Sequence, residues 1–213
     1  MKITREMLEV VAVAADYTKP LIINGVCFRA DGGAVATDTY CLIAVGPDPD
    51  EELVNPLAED VVIQKGTVET VLREAVICED GRGDPDDFTT FDCDLRVKDG
   101  VAHFILWGGQ ETISAPVIVS DEPYPGLTKA LQVEPDEYGR PGELQVSPAL
   151  FAKFWACLDR LCGDYGVHLQ TTKELGPIII RGTTGMGRPV VASIMPMMPS
   201  FVPDNTWEKT LIG

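Results

Sequence analysis

Carboxylates are the most plentiful reactive side chains in this chain of 213 residues. Asp84, Asp86 and Asp87 are followed by Asp92 and Asp94. An i, i+2 pair in a strand turns both carboxylates to one face, where they could hold a hard cation. Calcium loops add a fixed ligand spacing and a glycine at the sharp turn, and neither is present here. With 33 acidic against 17 basic residues, such pairs read as a solvated face. The run Gly182-Thr183-Thr184-Gly185-Met186-Gly187 has the glycines of a phosphate loop. No Lys-Ser/Thr pair follows it and no helix is expected behind it, so a hairpin turn is the reading. No serine stands in a G-x-S-x-G turn, and neither His103 nor His168 has the context of a catalytic base. The six cysteines form no C-x-x-C pair and the two histidines stand far from any cysteine cluster, which argues against zinc. They read as small buried apolar residues of a reducing compartment. The expectation is a protein without catalytic residues, metal or cofactor.

The balance of charge narrows the partners. A formal net charge of −16 opposes a protein that grips nucleic acid, because phosphate neutralisation needs clustered cations. Contact with DNA would have to be local or topological. No apolar run approaches the ~20 residues that cross a bilayer. The start Met1-Lys2-Ile3-Thr4-Arg5-Glu6 lacks a signal-peptide core, so the expected address is cytoplasmic, with no membrane contact.

One pattern recurs three times along the chain: an amphipathic helix, a strand, a tight turn and another strand. The first helix is expected from Thr4, as N-cap, to Ala15, with Met7, Val10, Val11 and Ala14 at helical spacing. Leu21–Phe28 and Ala34–Val45 then read as two strands about Asp31-Gly32-Gly33. A second helix is expected over Thr67–Ile77, capped by Thr67, followed by strands Phe91–Val97 and Val101–Trp107 about Asp99-Gly100. The third helix opens at Ser147-Pro148 and closes at Gly163, with Leu150, Phe151, Phe154, Trp155, Leu158 and Leu161 on its apolar face. Strands Val167–Thr171, Pro177–Arg181 and Val190–Met197 follow. The fold class is α+β, built of repeated helix-plus-antiparallel-strand units with helices on one face of the sheets. The Pro/Gly-rich, polar stretch 134–142 marks a linker. The expected division is a first domain of two units over 1–131, a linker over 132–143, and a smaller domain of one unit plus tail over 144–213.

Particular residues carry a family resemblance. Ile22–Phe28 followed by Val35–Val45 resembles the bacterial DNA polymerase III beta sliding clamp, in which a similar strand pairs with one reading T-D-G-H-R-L-A. Val61–Val68 looks like the strand-to-helix junction of that family's middle domain. Tyr124-Pro125, with Leu131 seven residues beyond Tyr124, resembles its Phe-Pro, and Met195-Pro196-Met197 its M-P-M. The matches are collinear and span most of the chain, which is about half the family's length. The chain is thus similar to a small, phage-type or truncated clamp.

The resemblance implies a non-catalytic processivity factor that docks replication proteins through a peptide-binding groove and encircles DNA as a homo-oligomer. Its partners would be DNA polymerase and other clamp-binding proteins, with duplex DNA held topologically. The alternative is a truncated mimic that binds clamp-interacting proteins without encircling DNA. Carried over by position, the groove is Thr37, Tyr40, Leu42, Pro125, Ala130, Ser193 and Met195. Clamp helices line the hole, so Arg5, Lys65, Arg73, Lys153 and Arg160 are the expected DNA-facing cations. Thr39-Tyr40-Cys41 replaces the family's Gly-His-Arg, which removes a cation from that edge.

Overall fold

The computed structural model describes residues 1–15, 21–50, 53–82, 93–106, 109–120, 123–125, 147–171 and 177–195. The first unit comprises β1 (Lys2–Ile3), α1 (Arg5–Glu9), β2 (Gly25–Phe28), β3 (Ala34–Thr37) and β4 (Cys41–Val45). The second repeats the order as β5 (Val61–Gln64), α2 (Lys65–Arg82), β6 (Cys93–Lys98), β7 (Val101–Leu106) and β8 (Glu111–Pro116). The third comprises α3 (Pro148–Cys162), β9 (Val167–Thr171), β10 (Ile178–Thr183) and β11 (Pro189–Ile194). The expected linker, 132–143, lies outside the described residues.

All strand pairs are antiparallel and fall into two sheets, β1-β6-β7-β8 and β5-β2-β3-β4-β11-β10-β9. The first two units exchange their opening strands. β1 pairs with β6 of the second unit, and β5 pairs with β2 of the first. Each of these two sheets thus contains a strand from the other unit. The third unit joins through β11, which extends the first unit's sheet at β4.

Period-two alternation decides which side chains meet the helices. On β4, Cys41, Ile43 and Val45 enter the main core, while Leu42 and Ala44 turn to the opposite face. The main core gathers Met7 and Leu8 of α1, Val68 and Val71 of α2, and Phe154 and Leu158 of α3 against both sheets. Phe28 of β2 and Phe104 of β7 meet edge to face, 5.8 Å between centroids, joining one sheet to the other. This is the expected α+β arrangement, with helices covering one face.

Local chemistry explains the boundaries. Ser147 is extended and its hydroxyl accepts from the Leu150 N–H at 3.5 Å, Pro148 fills the first turn, and Gly163 closes the helix at φ 49°. The β6–β7 turn uses Asp99 and Gly100, both at positive φ, as expected of a two-residue hairpin.

Other boundaries differ from expectation. α1 lasts one turn and tightens into a 3-10 segment over Val10–Val13, and Thr4 makes no side-chain cap. α2 opens at Lys65 rather than Thr67, with the Lys65 N–H donating to the Asn24 carbonyl at 2.8 Å. Leu21–Ile23 is a 3-10 turn, and β2 starts only at Gly25. The single strand expected over 34–45 is a hairpin instead, bent at Asp38-Thr39-Tyr40. β1 and β8 were not anticipated.

Candidate functional site

The β3–β4 turn is built by side chains, since it contains no glycine. The Asp38 carboxylate accepts from the N–H groups of Tyr40 and Cys41, each at 2.9 Å. The Thr37 hydroxyl donates to the Cys41 carbonyl at 2.7 Å and accepts from the Thr39 N–H at 3.1 Å. These bonds hold Thr39 at φ 81°, a backbone region that β-branched residues seldom enter, and they thrust Tyr40 outward. The Tyr40 side chain is 57% exposed.

β11 runs alongside this turn. Leu42 lies between Thr37 on β3 and Ser193 on β11 in register, so the three form one cross-strand row. All three are buried. Leu42 belongs to a small apolar cluster on the sheet face away from the helices, with Cys27, Val35, Ala44 and Val62, covered in part by Ile22, Ile118 and Tyr124. Immediately after β11, the Met195 N–H donates to the Tyr40 carbonyl at 2.8 Å. Met195 is 44% exposed, so two large adaptable side chains stand side by side where β11 meets the turn.

A third segment reaches the same face. The Ile118 N–H donates to the Val62 carbonyl at 2.8 Å, which leads the chain from β8 back over β5. Tyr124 then packs on the Leu42 cluster and its hydroxyl donates to the Gly25 carbonyl at 3.2 Å. Burial pushes the Tyr124 phenol well above its usual range, Cys27 adds to this, and the Thr37 backbone N–H works against it. Pro125, next in the chain, is exposed. The structure therefore places Thr37, Tyr40, Leu42, Ser193 and Met195 at one junction, with Pro125 one residue beyond Tyr124. Ala130 lies outside the described residues.

The sequence-derived cations are distributed differently. Arg160 of α3 donates to Glu9 of α1 at 2.8 Å, and Arg5 stands 3.7 Å from the same carboxylate. Arg5, Glu9 and Arg160 line an open cleft of about 400 Å³, together with Asp164 and Tyr165. The Lys65 ammonium, largely covered, donates to the Ala14 carbonyl at 3.3 Å and lies 4.0 Å from Glu69. Arg73 pairs with neighbouring Glu74 at 3.4 Å. Lys153 is half-buried on α3.

Chemistry of other kinds finds no assembled centre among the described residues. Burial pushes the thiols of Cys27, Cys41 and Cys157 up to about 12, with Asp38 adding to the effect at Cys41. Such thiols stay protonated and make poor nucleophiles. His103 faces Ser114 across β7 and β8, Nδ1 to Oγ 2.8 Å, in a sheet-surface pair. Gly182–Gly187 belongs to the β10–β11 hairpin, where the Thr184 hydroxyl accepts from the N–H groups of Met186 and Arg188, each at 3.3 Å. No group of three potential metal ligands gathers among the described residues. Asp94 pairs opposite Lys2 on the edge of the smaller sheet, and Asp84, Asp86, Asp87 and Asp92 lie outside the described residues.

Sequence reasoning overlooked two contributors. Thr-Asp-Thr-Tyr is an Asx-turn signature, and it marks Asp38 as the clamp of the turn. Arg188 had no local signal. Its buried guanidinium reaches the Gly46 carbonyl at 3.4 Å and lies 3.9 Å from Asp48, locking the β10–β11 turn to the end of β4.

No protein-family model and no curated protein matches this chain. Solved structures do. The Helicobacter pylori beta clamp bound to a DNA ligase peptide is 13% identical, with a TM-score of 0.63 over 93% of this chain and 65% of that one. The Pseudomonas aeruginosa DNA polymerase sliding clamp is 11% identical, with a TM-score of 0.61 over 93% and 65%. The Caulobacter crescentus clamp is 13% identical, with a TM-score of 0.60 over the same shares, 93% and 65%. The chain thus spans a little under two thirds of the length of these clamps. Its fold is that of the bacterial DNA polymerase sliding clamps.

Proposed function

We propose that the chain is a non-catalytic, sliding-clamp-like processivity factor that docks DNA polymerase and other clamp-binding proteins through short peptides. The observation that carries this reading is the junction of Tyr40 and Met195. Two segments far apart in sequence are joined there by one backbone hydrogen bond, and both side chains are exposed. Thr37, Leu42 and Ser193 form the floor beneath them, and Pro125 the flank. Tyrosine offers amphipathic contact area and methionine adaptable packing, a combination that suits varied peptides. The H. pylori clamp, of the same fold, carries a DNA ligase peptide, and a peptide of that kind is the natural probe.

Calorimetry with a synthetic clamp-docking peptide of a bacterial DNA ligase tests the reading. Met195→Glu should abolish binding, and Tyr40→Ala should weaken it by about tenfold or more, the scale of a truncated anchor residue. Both side chains are exposed, so circular dichroism should remain that of the unmodified protein. Leu42→Glu makes a poor probe, because it would bury a charge inside an apolar cluster. Unchanged affinity in both exposed variants would overturn the docking reading.

One observation favours the second reading, a truncated mimic that binds clamp partners without encircling DNA. Arg5, Arg73 and Arg160, expected to face phosphate, each lie against a carboxylate, and Lys65 against a backbone carbonyl. Retention on circular duplex, lost when the circle is cut, supports the tether. Peptide binding without any such retention supports the mimic.

A further inference from the structure

The smaller sheet turns one face to the core and the other away from it. Across β6, β7 and β8 the row Leu95, Phe104, Ile113 packs into the main core. Alternation therefore puts the next row, Arg96, His103 and Ser114, on the opposite face. Lys98 follows two residues along β6, and Lys2 of β1 stands on that face too, opposite Asp94. Lys2, Arg96 and Lys98 are all exposed.

These cations differ from those elsewhere. Arg5 and Arg160 share Glu9, Arg29 holds Asp31, and Arg181 donates to Gln170. Among the described residues, Lys2, Arg96 and Lys98 have no ion-pair partner. The carboxylates near them are Asp94, in the row of Lys2, and Asp99, in the β6–β7 turn. Cations thus outnumber carboxylates on this face, in a chain where acidic residues outnumber basic ones by 33 to 17.

The spacing is regular as well. His103 Nδ1 lies 2.8 Å from Ser114 Oγ. With Ser114 as donor, the imidazole keeps its Nε2–H to offer beside the Arg96 guanidinium. Arg96 and Lys98 are alternate residues of one strand, about 6.6 Å apart. Alternate side chains of any extended peptide have that same separation.

We propose that this face docks an extended acidic segment of a partner protein, with carboxylates at alternate residues. Arg96 and Lys98 take two successive carboxylates, Arg96 through its two-pronged guanidinium. His103 serves the same segment from the neighbouring strand. Charge complementarity selects this occupant over nucleic acid. Phosphate neutralisation calls for more cations than stand here, against a net charge of −16. The remaining outward side chains of β7 and β8, Val101, Ile105, Thr112 and Pro116, include no aromatic ring on which a base could stack. The face lies on a different sheet from Tyr40 and Met195, so the proposal does not rest on the docking reading.

Fluorescence anisotropy of a labelled peptide of alternating glutamate and serine, titrated with the full chain at low salt, tests the proposal. The expected result is saturable binding that weakens as salt is added, and none by the matched peptide of glutamine and serine. Arg96→Glu combined with Lys98→Glu should weaken binding about tenfold or more, because like charges then face each other. Both side chains are exposed, so thermal unfolding of the variant should match that of the parent. Calorimetry with the ligase peptide should also be unchanged, which separates failure here from failure of the docking reading. Absence of binding overturns the proposal, as does equal affinity for the glutamine peptide or indifference to the double variant. A single-stranded oligonucleotide that binds more tightly, and is lost in the same variant, would assign the face to nucleic acid instead. A gain of about tenfold or more on replacing Asp84, Asp86 and Asp87 by Asn would assign it to the chain's own tethered acidic run.

Discussion

The hydroxyl of Tyr124 donates to the carbonyl of Gly25 at 3.2 Å and stands against the backbone N–H of Thr37. Val26 pairs with Ala36 in the β2–β3 ladder, and Gly25 and Thr37 would be the next pair. A side chain from beyond β8 thus takes the place of a ladder bond, and the same contact fixes Thr37 beneath the candidate groove.

Removing that hydroxyl should therefore act on stability. Tyr124→Phe keeps the ring on the Leu42 cluster but leaves the buried Gly25 carbonyl without this donor. The expected loss is about 1–3 kcal/mol, the cost of an unsatisfied buried polar group. Urea titration should show a lower midpoint at unchanged slope. An unchanged midpoint would mean that the ring alone anchors this segment.

Gly25 is required for a second reason, the closeness of β5. A Cβ at this position would lie 2.4 Å from the Ile63 carbonyl oxygen, an atom of the paired strand that has no room to yield. Gly25→Ala should destabilise by about 1–3 kcal/mol or more, the range of overpacked interiors. The exchange of β5 onto β2 should suffer most, and hydrogen exchange should find Val61–Gln64 deprotected before β10 and β11. Uniform deprotection would show that all three units open only as one.

Much of this architecture could be read from local pattern, and the rest depended on pairing at long range. The three-fold repeat, the Ser147-Pro148 start of α3 and the Asp99-Gly100 hairpin each carry their cause within a few residues. The bend at Asp38-Thr39-Tyr40 was also local, but its signal lies in side-chain hydrogen bonds rather than in glycine, and a continuous strand was the simpler reading. The exchange of β1 and β5 has no local cause at all. A strand of two residues such as Lys2–Ile3 gains definition only from the edge it meets. The same holds for the candidate site: Tyr40 and Met195 were legible through family resemblance, while Arg188, which helps hold their strands together, takes its meaning from Gly46 and Asp48.

The buried thiols supply a pH prediction. Cys27, Cys41 and Cys157 ionise at about 12 when folded, against 9.0 for an ordinary thiol. The folded state therefore favours the protonated form. The stability this contributes is complete below pH 9 and is lost as pH rises toward 12, because the unfolded chain releases these protons first. The midpoint of urea unfolding should fall progressively across that window. At pH 8 the three thiols should resist a disulfide reagent until denaturant is added. Rapid labelling of the native protein would refute the burial on which both expectations rest.

Glu9 offers the sharpest distinction between a tether and a mimic. Its carboxylate, mostly covered, lies between Arg5 and Arg160, both about half exposed. With both guanidinium groups about half exposed, solvent screening holds such pairs to about 1 kcal/mol, so Glu9→Gln should leave the unfolding midpoint nearly unchanged. Its electrostatic effect is larger in proportion. The substitution removes one negative charge and releases two guanidinium groups toward whatever faces α1 and α3. If duplex DNA lies there, its affinity at low salt should rise. The slope of log affinity against log salt should also steepen by about one unit for each phosphate newly contacted. Fluorescence anisotropy of a labelled duplex, followed across a salt series for both proteins, measures these quantities together. A signal absent from both proteins, with peptide binding intact, would place α1 and α3 away from DNA and leave docking as the chain's whole activity.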